Sequence, residues 1–307
     1  MLPANPAISV VICTYNRARF LPDALGSLSN QSIPTNDYEV IVVNNASTDD
    51  TTAVCQNFIN QHPLSPILYL EEKQQGASFA RNSGAAVARA PLLCFMDDDA
   101  VADPDYLEKI LAFFQEFPDA GGLGGRIIPR YLPEEPKWMS HYVSSLVGHF
   151  HYSEERTIFG GGKYPLESNM IIRTEDFRKI GGFSAALPGV VGNVRIGGEG
   201  KDLFYRLMQL GRVIYYDPAV RVEHVVETEK LTPAYMYRVA SGIGRGERVR
   251  ILQKGKMAFL LKTIEYVFKL GAAIVLGIGY ALQGHPAKSL PVIQFRIDAL
   301  KGLFNQP

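Results

Sequence analysis

Stretches typical of buried strands alternate with helical stretches through the first hundred residues of the chain. The strand-like stretches are short, apolar and bounded by polar residues, as buried strands of a parallel sheet are. They are Ile8–Cys13, Glu39–Val43, Ile67–Leu70 and Leu92–Met96. The segments between them carry apolar residues at helical spacing. This order predicts an α/β fold, with a mostly parallel sheet and helices on both faces.

Strand-like and helical stretches continue beyond residue 100. The predicted strands are Gly121–Ile128, Glu167–Arg173, Val213–Tyr216 and Ala219–His224. Residues 202–210 are predicted to form a short helix. The chain has 307 residues and is 47% hydrophobic, so it can build a core in one large domain or in one domain with an appendage.

The three cysteines, Cys13, Cys55 and Cys94, have no metal-ligand spacing, which indicates buried free thiols and a reducing compartment. The first residues do not combine a basic segment with an apolar one, so we expect no secretory signal. Charge is unevenly spread along the chain. Residues 245–307 hold ten basic and three acidic residues, so the rest of this neutral chain is acidic.

Three consecutive aspartates, Asp97, Asp98 and Asp99, follow the strand Leu92–Met96. Adjacent carboxylates repel one another unless a cation is present, and they suit a hard divalent ion such as Mg²⁺ or Mn²⁺. In open α/β sheets, ligands bind outside the carboxyl ends of the strands. The triplet therefore predicts a metal–diphosphate site. A solvated acidic turn or a helix N-cap is the alternative.

Polar residues also follow the first two strands. Thr14-Tyr15-Asn16-Arg17 follows the first, and Asn44-Asn45-Ala46-Ser47-Thr48-Asp49 follows the second. Each segment alone is compatible with ordinary turn chemistry. Together with Gly76, Arg81-Asn82 and the three aspartates, they outline one cleft in which a nucleotide can lie.

In this order, the motifs resemble those of the family 2 glycosyltransferases, which have the Rossmann-like GT-A fold. The resemblance covers roughly residues 7–226 and also rests on Gly181-Gly182-Phe183, Gly198-Glu199, Asp202-Leu203 and His224. It implies a GT-A catalytic domain over residues 1–230. Residues 1–100 would form about the nucleotide-sugar half, and residues 101–230 the acceptor half.

The resemblance also implies roles for individual residues. The nucleotide-binding residues would be Thr14, Tyr15, Arg17, Asn44, Ser47, Arg81, Asp97 and Asp98. Asp99 would ligate Mn²⁺ or Mg²⁺, and His224 would be a further ligand. Family members commonly have Asp at the position of Asn44, where it meets uracil. An amide offers a donor that a carboxylate lacks, so the base stays open.

A second group of residues is predicted to act on the sugar and the acceptor. Glu167, Ser168 and Asn169 follow a glycine run and could hold sugar hydroxyls, although an ordinary strand start is the alternative. Many relatives read Gly-Glu-Asp-x-Asp/Glu-Leu where this chain reads Gly198-Glu199-Gly200-Lys201-Asp202-Leu203. Gly200 thus replaces the residue often assigned as the base. Glu199 and Asp202 remain candidates, and Glu199 is favoured because Asp202 also suits the first turn of a helix.

Residues 231–307 are predicted to form a basic, apolar, helical region that associates with a membrane. Residues 256–282 are largely apolar, but Lys262, Glu265 and Lys269 interrupt them. The longest uncharged run, Leu270 to His285, is shorter than the ~20 residues that span a bilayer. A helix lying in the membrane interface fits better. A helical pair that packs on the catalytic domain or forms a dimer is the alternative.

The predicted function is a metal-dependent sugar transfer from a nucleotide-sugar to a glycan or lipid-linked acceptor during polysaccharide or cell-envelope synthesis. The resemblance implies inversion and a UDP-sugar, and the predicted location is cytoplasmic, on the inner face of the cell membrane. One alternative is a nucleotidyltransferase, although the glycine-rich loop typical of such enzymes is missing after the first strand. Another is a non-catalytic nucleotide-sugar-binding subunit, which Gly200 keeps open. Nucleic-acid binding is not expected, because the basic residues lie beside apolar stretches that suit lipid.

Overall fold

The computed structural model describes residues 2–305, which divide into two compact units. The first unit contains the residues up to Ile128 together with Phe150–Ala185 and Gly200–Val225. The second contains Pro129–His149, Ala186–Glu199 and the residues from Val226 onward. Each unit is therefore assembled from segments that are far apart in the sequence.

Strands and helices alternate along the chain. The strands are β1 (Ile8–Thr14), β2 (Tyr38–Asn44), β3 (Ile67–Glu71), β4 (Leu92–Asp97), β5 (Ala100–Ala102), β6 (Ala120–Leu132), β7 (Thr157–Ile158), β8 (Met170–Arg173), β9 (Gly189–Val191), β10 (Val194–Ile196) and β11 (Val213–Glu227). The helices are α1 (Leu21–Ser29), α2 (Thr51–Gln61), α3 (Ala77–Val87), α4 (Tyr106–Glu116), α5 (His141–Ser144), α6 (Thr174–Lys179), α7 (Glu199–Gln209), α8 (Pro233–Leu252), α9 (Lys256–Leu282) and α10 (Ser289–Phe304).

One large sheet has the strand order β3-β2-β1-β4-β8-β6-β11-β5, and β7 pairs with β11. Strand β1 is parallel to β2 and β4, and β2 is parallel to β3. The pairs β4–β8, β6–β8 and β11–β5 are antiparallel. The α/β fold is confirmed, but the sheet is mixed. It is parallel where α1, α2 and α3 return the chain across the sheet after each strand.

Apolar residues cover both faces of the sheet in the first unit. Val10 and Ile12 of β1 belong to one buried cluster, which includes residues of α1 and α4. Val11 belongs to a second cluster on the opposite face, which includes residues of α3 and α7. Successive strand residues point to opposite faces, so the burial of all three explains why the strand sequence is continuously apolar.

Two strand predictions are wrong in their limits. Glu167–Asn169 forms a 3₁₀ turn, and the strand begins only at Met170. The two strands predicted between residues 213 and 224 belong to the single strand β11. The Asp217 carboxylate accepts a hydrogen bond from the Ala219 N–H across Pro218, which supports the extended chain where the proline lacks a donor.

Helices α8, α9 and α10 surround the apolar core of the second unit, which includes Val239, Ala273 and Phe295. Glycine lets α8 and α10 approach closely. A Cβ at Gly244 would lie 2.0 Å from the Ala299 carbonyl oxygen, and one at Gly302 would lie 2.0 Å from the Ser241 carbonyl oxygen. Within residues 2–305, no helix is both long enough and apolar enough to span a membrane.

Candidate functional site

Parallel pairing brings the polar ends of β1, β2 and β4 to the same edge of the sheet. Thr14, the last residue of β1, is level with Asn44 of β2, and Cys13 is level with Asp97 of β4. Thr14 is buried, whereas Tyr15 beyond it is exposed. The sequence prediction that these strand ends converge is therefore confirmed by their register.

The three aspartates have different surroundings at this edge. Asp98 and Asp99 are buried, whereas 32% of the Asp97 side chain is exposed. Strand β11 pairs with β5 so that His224 lies opposite Ala100, next to the acidic triplet. Its Nε2 atom is 3.1 Å from Oδ1 of Asp99. A histidine far away in the sequence thus joins the acidic cluster through sheet register.

Asp97, Asp99 and His224 fit a divalent cation. One ligand atom from each of them lies within 4.8 Å of the others. Two carboxylates and an imidazole suit Mn²⁺, and also Mg²⁺ with its stronger preference for oxygen. Burial raises the pKa of the neighbouring Asp98 to about 6, and the positive charge of Arg17 opposes that rise. The positive charge of Arg17 thus favours the ionised form of Asp98.

Two arginines lie beside the aspartates. Nη1 of Arg17 donates to Oδ1 of Asp98 at 2.8 Å, and Nη2 donates to Asp99. Arg81, from α3, is buried and has Nη2 3.4 Å from Oδ1 of Asp97. Its guanidinium also stacks over the ring of Phe183, 5.4 Å from the centroid. Two guanidinium groups and the potential metal ligands therefore surround one point at the strand ends.

Asn16 and Asn45 hold the loops after β1 and β2 in place, a role that the sequence analysis did not assign. Asn16 has a positive φ of 53°, and its side-chain oxygen accepts the N–H of Thr48 at 2.7 Å. Asn45 donates to the carbonyls of Glu72 and Gln74, and it accepts the Gly76 N–H at 2.7 Å. Asparagine tolerates left-handed backbone better than most residues do. An asparagine two or three residues after the end of a predicted strand was the available signal.

Asn44 and Ser47 also contribute to these loops. The Asn44 amide donates to Thr52 and Tyr69, and its oxygen accepts the Ser47 N–H at 3.0 Å. The Ser47 hydroxyl accepts the Asn16 N–H at 2.9 Å. Asn44 is buried, so this geometry favours a structural role over direct reading of a base. The predicted contact of Asn44 with the nucleotide stays a prediction.

The segment Glu167–Asn169 connects the acidic cluster to the framework of the first unit. The Ser168 hydroxyl donates to Asp97. Asn169 is fully buried and donates to the carbonyls of Arg126 and Val220 while accepting the Tyr106 hydroxyl. A structural role thus fits Asn169 better than the predicted sugar contact, whereas Ser168 lies at the site.

The three carboxylates near the start of α7 have different surroundings. Glu199, the first residue of the helix, is buried at 4% exposure. Asp202 pairs with Nε of Arg206 at 2.8 Å, and Arg206 also donates to the carbonyls of Ile180 and Gly182. Glu167 is half-buried and accepts the Gly200 N–H at 2.8 Å. The predicted base roles of Glu199 and Asp202 stay predictions.

Comparison with known proteins connects this site to a family. The model described as Glycosyl transferase family 2 matches residues 9–181. The glucosyl-dolichyl phosphate glucuronosyltransferase of Haloferax volcanii is 24% identical over 226 residues, which are 71% of this chain and 68% of that protein. The validoxylamine A glucosyltransferase of Streptomyces hygroscopicus subsp. jinggangensis is 39% identical over 107 residues, which are 35% of this chain and 25% of that protein. Aligned regions thus span between a quarter and about two thirds of these relatives.

Solved structures share the fold. The Pyrobaculum calidifontis mannosyltransferase PcManGT, in complex with GDP-Man and Mn²⁺, aligns with a TM-score of 0.69 over 99% of this chain and 88% of that chain, at 18% identity. Residues 1–349 of Staphylococcus aureus TarS align with a TM-score of 0.55 over 96% of this chain and 82% of that chain, at 17% identity. These likenesses confirm the predicted fold class.

Proposed function

The chain belongs to glycosyl transferase family 2, and we propose that it catalyses the metal-dependent, inverting transfer of a sugar from a nucleotide-sugar to a lipid-linked or glycan acceptor. One observation carries the proposal. Asp97, Asp99 and His224 converge with two guanidinium groups at the carboxyl ends of β1 and β4. Potential metal ligands and phosphate-binding cations thus meet where ligands of such sheets bind.

Each residue of the cluster has a chemical task in this proposal. Asp97, Asp99 and His224 would hold Mn²⁺ or Mg²⁺, and the bound ion would stabilise negative charge on the leaving diphosphate. Arg17 and Arg81 would bind phosphate oxygens of the donor, because guanidinium groups make strong, charge-assisted bonds to phosphate. Ser168 would orient the Asp97 carboxylate. Charge that develops on the departing nucleoside diphosphate is thereby neutralised.

Donor and acceptor are inferred from the relatives. Residues 1–349 of TarS were solved in complex with UDP-GlcNAc, and the mannosyltransferase was solved in complex with GDP-Man. The Haloferax relative is named for action on a dolichyl phosphate-linked glucose. A UDP-sugar and a lipid-linked acceptor are therefore the first substrates to test, in the context of polysaccharide or cell-envelope synthesis.

The test is a transfer assay over UDP- and GDP-sugars, with polyprenyl phosphate-linked sugars as acceptors and with Mn²⁺, Mg²⁺ or chelator. We expect product with one donor class only, and no product with chelator. Release of pyrophosphate from nucleoside triphosphates would instead support a nucleotidyltransferase. Nucleotide binding without transfer over the whole panel would support a non-catalytic subunit.

An apolar side of α9 supports peripheral contact with the cytoplasmic face of the cell membrane. Large apolar residues there are at least half exposed, namely Met257, Leu260, Leu261, Ile264, Val267, Phe268, Val275, Ile278 and Leu282. Most recur at helical spacing, and Lys256, Lys262 and Lys269 accompany them. Such a helix can lie in the membrane interface and attract anionic lipid.

Flotation with vesicles of neutral and anionic lipid tests this contact. We expect the protein to float with anionic vesicles, and we expect Phe268→Glu to reduce the floating fraction severalfold. The matched control is Leu64→Glu, because Leu64 is 84% exposed and lies in the first unit. Equal loss in both variants, or no flotation of the wild type, would contradict the membrane proposal.

A further inference from the structure

We infer that Glu167 is the general base of the transfer reaction and replaces the carboxylate that Gly200 lacks. This inference rests on the function proposed above. The resemblance to family 2 glycosyltransferases implies a base at position 200, where this chain has glycine, so a carboxylate from elsewhere would have to deprotonate the acceptor hydroxyl. Glu167 lies 33 positions earlier in the sequence, and no sequence motif links the two residues.

The Glu167 carboxylate lies against the backbone of Gly200. Oε1 of Glu167 accepts the Gly200 N–H at 2.8 Å. A Cβ at position 200 would lie 2.5 Å from that oxygen and 2.7 Å from Cδ of Glu167. Real Cβ atoms do not approach other atoms so closely, so a side chain at position 200 would displace the Glu167 carboxylate. The carboxylate therefore occupies the place where a side chain at position 200 would begin.

The segment that carries Glu167 is connected to the acidic cluster. Ser168 follows Glu167 directly and donates to Asp97. Glu167 and Ser168 both belong to the 3₁₀ turn that precedes β8. A nucleotide-sugar bound at the acidic cluster would therefore lie close to the segment that carries Glu167. The sequence analysis predicted a strand from Glu167, in which successive side chains would point to opposite faces. The 3₁₀ turn arranges Glu167 and Ser168 differently.

The candidate bases Glu167, Glu199 and Asp202 differ in exposure and in the contacts that are seen around them. Glu167 is half-buried, whereas Glu199 is only 4% exposed. Asp202 forms an ion pair with Arg206, which also binds two backbone carbonyls. The Gly200 N–H lies in the first turn of α7 and donates to the Glu167 carboxylate. Its greater exposure than Glu199 and its contact with Gly200 therefore favour Glu167 as the base.

Sugar transfer forms one bond to the anomeric carbon and breaks another. The acceptor hydroxyl oxygen forms a bond to the anomeric carbon, and its proton passes to the Glu167 carboxylate. The bond from the anomeric carbon to the donor phosphate oxygen breaks, and its electron pair leaves with the nucleoside diphosphate. Removing a positioned base typically slows such a step by about 10²–10⁴-fold.

The test measures sugar transfer and nucleoside diphosphate binding separately. Glu167→Gln is compared with the wild type, with the exposed control Glu175→Gln, and with Gly200→Asp alone and combined with Glu167→Gln. We expect Glu167→Gln to bind nucleoside diphosphate and Mn²⁺ as the wild type does, while transfer falls on the order of 10²–10⁴-fold. We expect the double variant to regain at least part of the lost transfer rate, and we expect that rate to depend on pH as it does in the wild type.

Three results would overturn the inference. Transfer by Glu167→Gln near the wild-type rate would exclude a base role and leave the proposed function standing. Parallel loss of binding and transfer, without recovery in the double variant, would assign Glu167 a structural role. A wild type that neither binds nucleotide nor transfers sugar would overturn the proposed function and this inference together.

Discussion

Glu39 is a buried charge far from the candidate site, and its neutralisation gives a stability prediction that does not depend on function. Glu39 is fully buried in β2. Its Oε1 accepts the Ser9 hydroxyl at 2.7 Å and the Arg89 N–H at 2.9 Å, and its Oε2 accepts Nε of Arg89 at 3.0 Å and the adjacent Nη2. Glu39→Gln keeps the volume of the side chain but removes the charge that all these donors share.

The expected loss follows from these contacts. Hydrogen bonds to charged groups contribute about 1.5–3 kcal/mol each, and breaking a buried ion pair costs about 3–5 kcal/mol. The Arg89 side chain is 39% exposed, so it can regain water after the change. We therefore expect about 3 kcal/mol, at the low end of the cost of a broken pair. For a unit of this size, that corresponds to a melting temperature lower by about 6–12 °C.

Urea titration and thermal melting, both followed by circular dichroism, measure the effect of Glu39→Gln. The matched control is Glu71→Gln, because Glu71 is an exposed glutamate at the end of β3 that accepts a long, 3.2 Å hydrogen bond from Tyr69. The control should stay within about 0.5 kcal/mol of the wild type. A loss below about 1 kcal/mol for Glu39→Gln would refute the reasoning, because it would mean that the shared charge contributes little.

Three further predictions follow from other parts of the molecule. Arg17→Gln should lower the melting temperature without metal and increase the stabilisation by Mn²⁺, because the buried Asp98 and Asp99 lose their positive partner. An equal rise of the melting temperature with Mn²⁺ in the wild type and in Arg17→Gln would contradict this. Gly302→Ala should destabilise the protein by about 1–3 kcal/mol through overpacking, whereas Gly271→Ala, with open space around it, should stabilise it by up to about 1 kcal/mol in urea titrations. Burial raises the pKa of the Cys55 and Cys94 thiols to about 12, so both should resist iodoacetamide in the native protein at pH 8 and react in urea. Mass spectrometry measures the alkylation, and alkylation of either thiol in the native protein would refute its burial.

The sequence predicted the parallel part of the fold because its strands are short, apolar and separated by helices. The antiparallel part was harder to predict. Strand β11 contains Asp217-Pro218, a pair that usually ends a strand. The Asp217 carboxylate accepts a hydrogen bond from the Ala219 N–H, which allows the chain to continue extended. The two compact units could not be predicted, because each is assembled from segments that are distant in the sequence.

The acidic part of the candidate site could be predicted from the strand pattern, whereas the contacts of Arg17 and Glu167 could not. Asp97 to Asp99 follow a strand whose end is visible in the sequence. Arg17 forms ion pairs with Asp98 and Asp99, and these contacts depend on how the loop after β1 folds. The approach of Glu167 to Gly200 depends on the 3₁₀ turn at residue 167, which has no periodic signal.

The central claim is that the acidic cluster binds a divalent cation that supports nucleotide binding. The most direct test is calorimetric titration of nucleoside diphosphates, with and without Mn²⁺, into the wild type, Asp99→Asn and the control Asp105→Asn. Asp105 is partly exposed and pairs with Lys109, away from the cluster. We expect Mn²⁺ to tighten binding of one nucleotide to the wild type and the control by about tenfold or more, or about 1.4 kcal/mol. Asp99→Asn should lose that gain. Binding that is independent of Mn²⁺, or an equal gain in Asp99→Asn, would contradict the account.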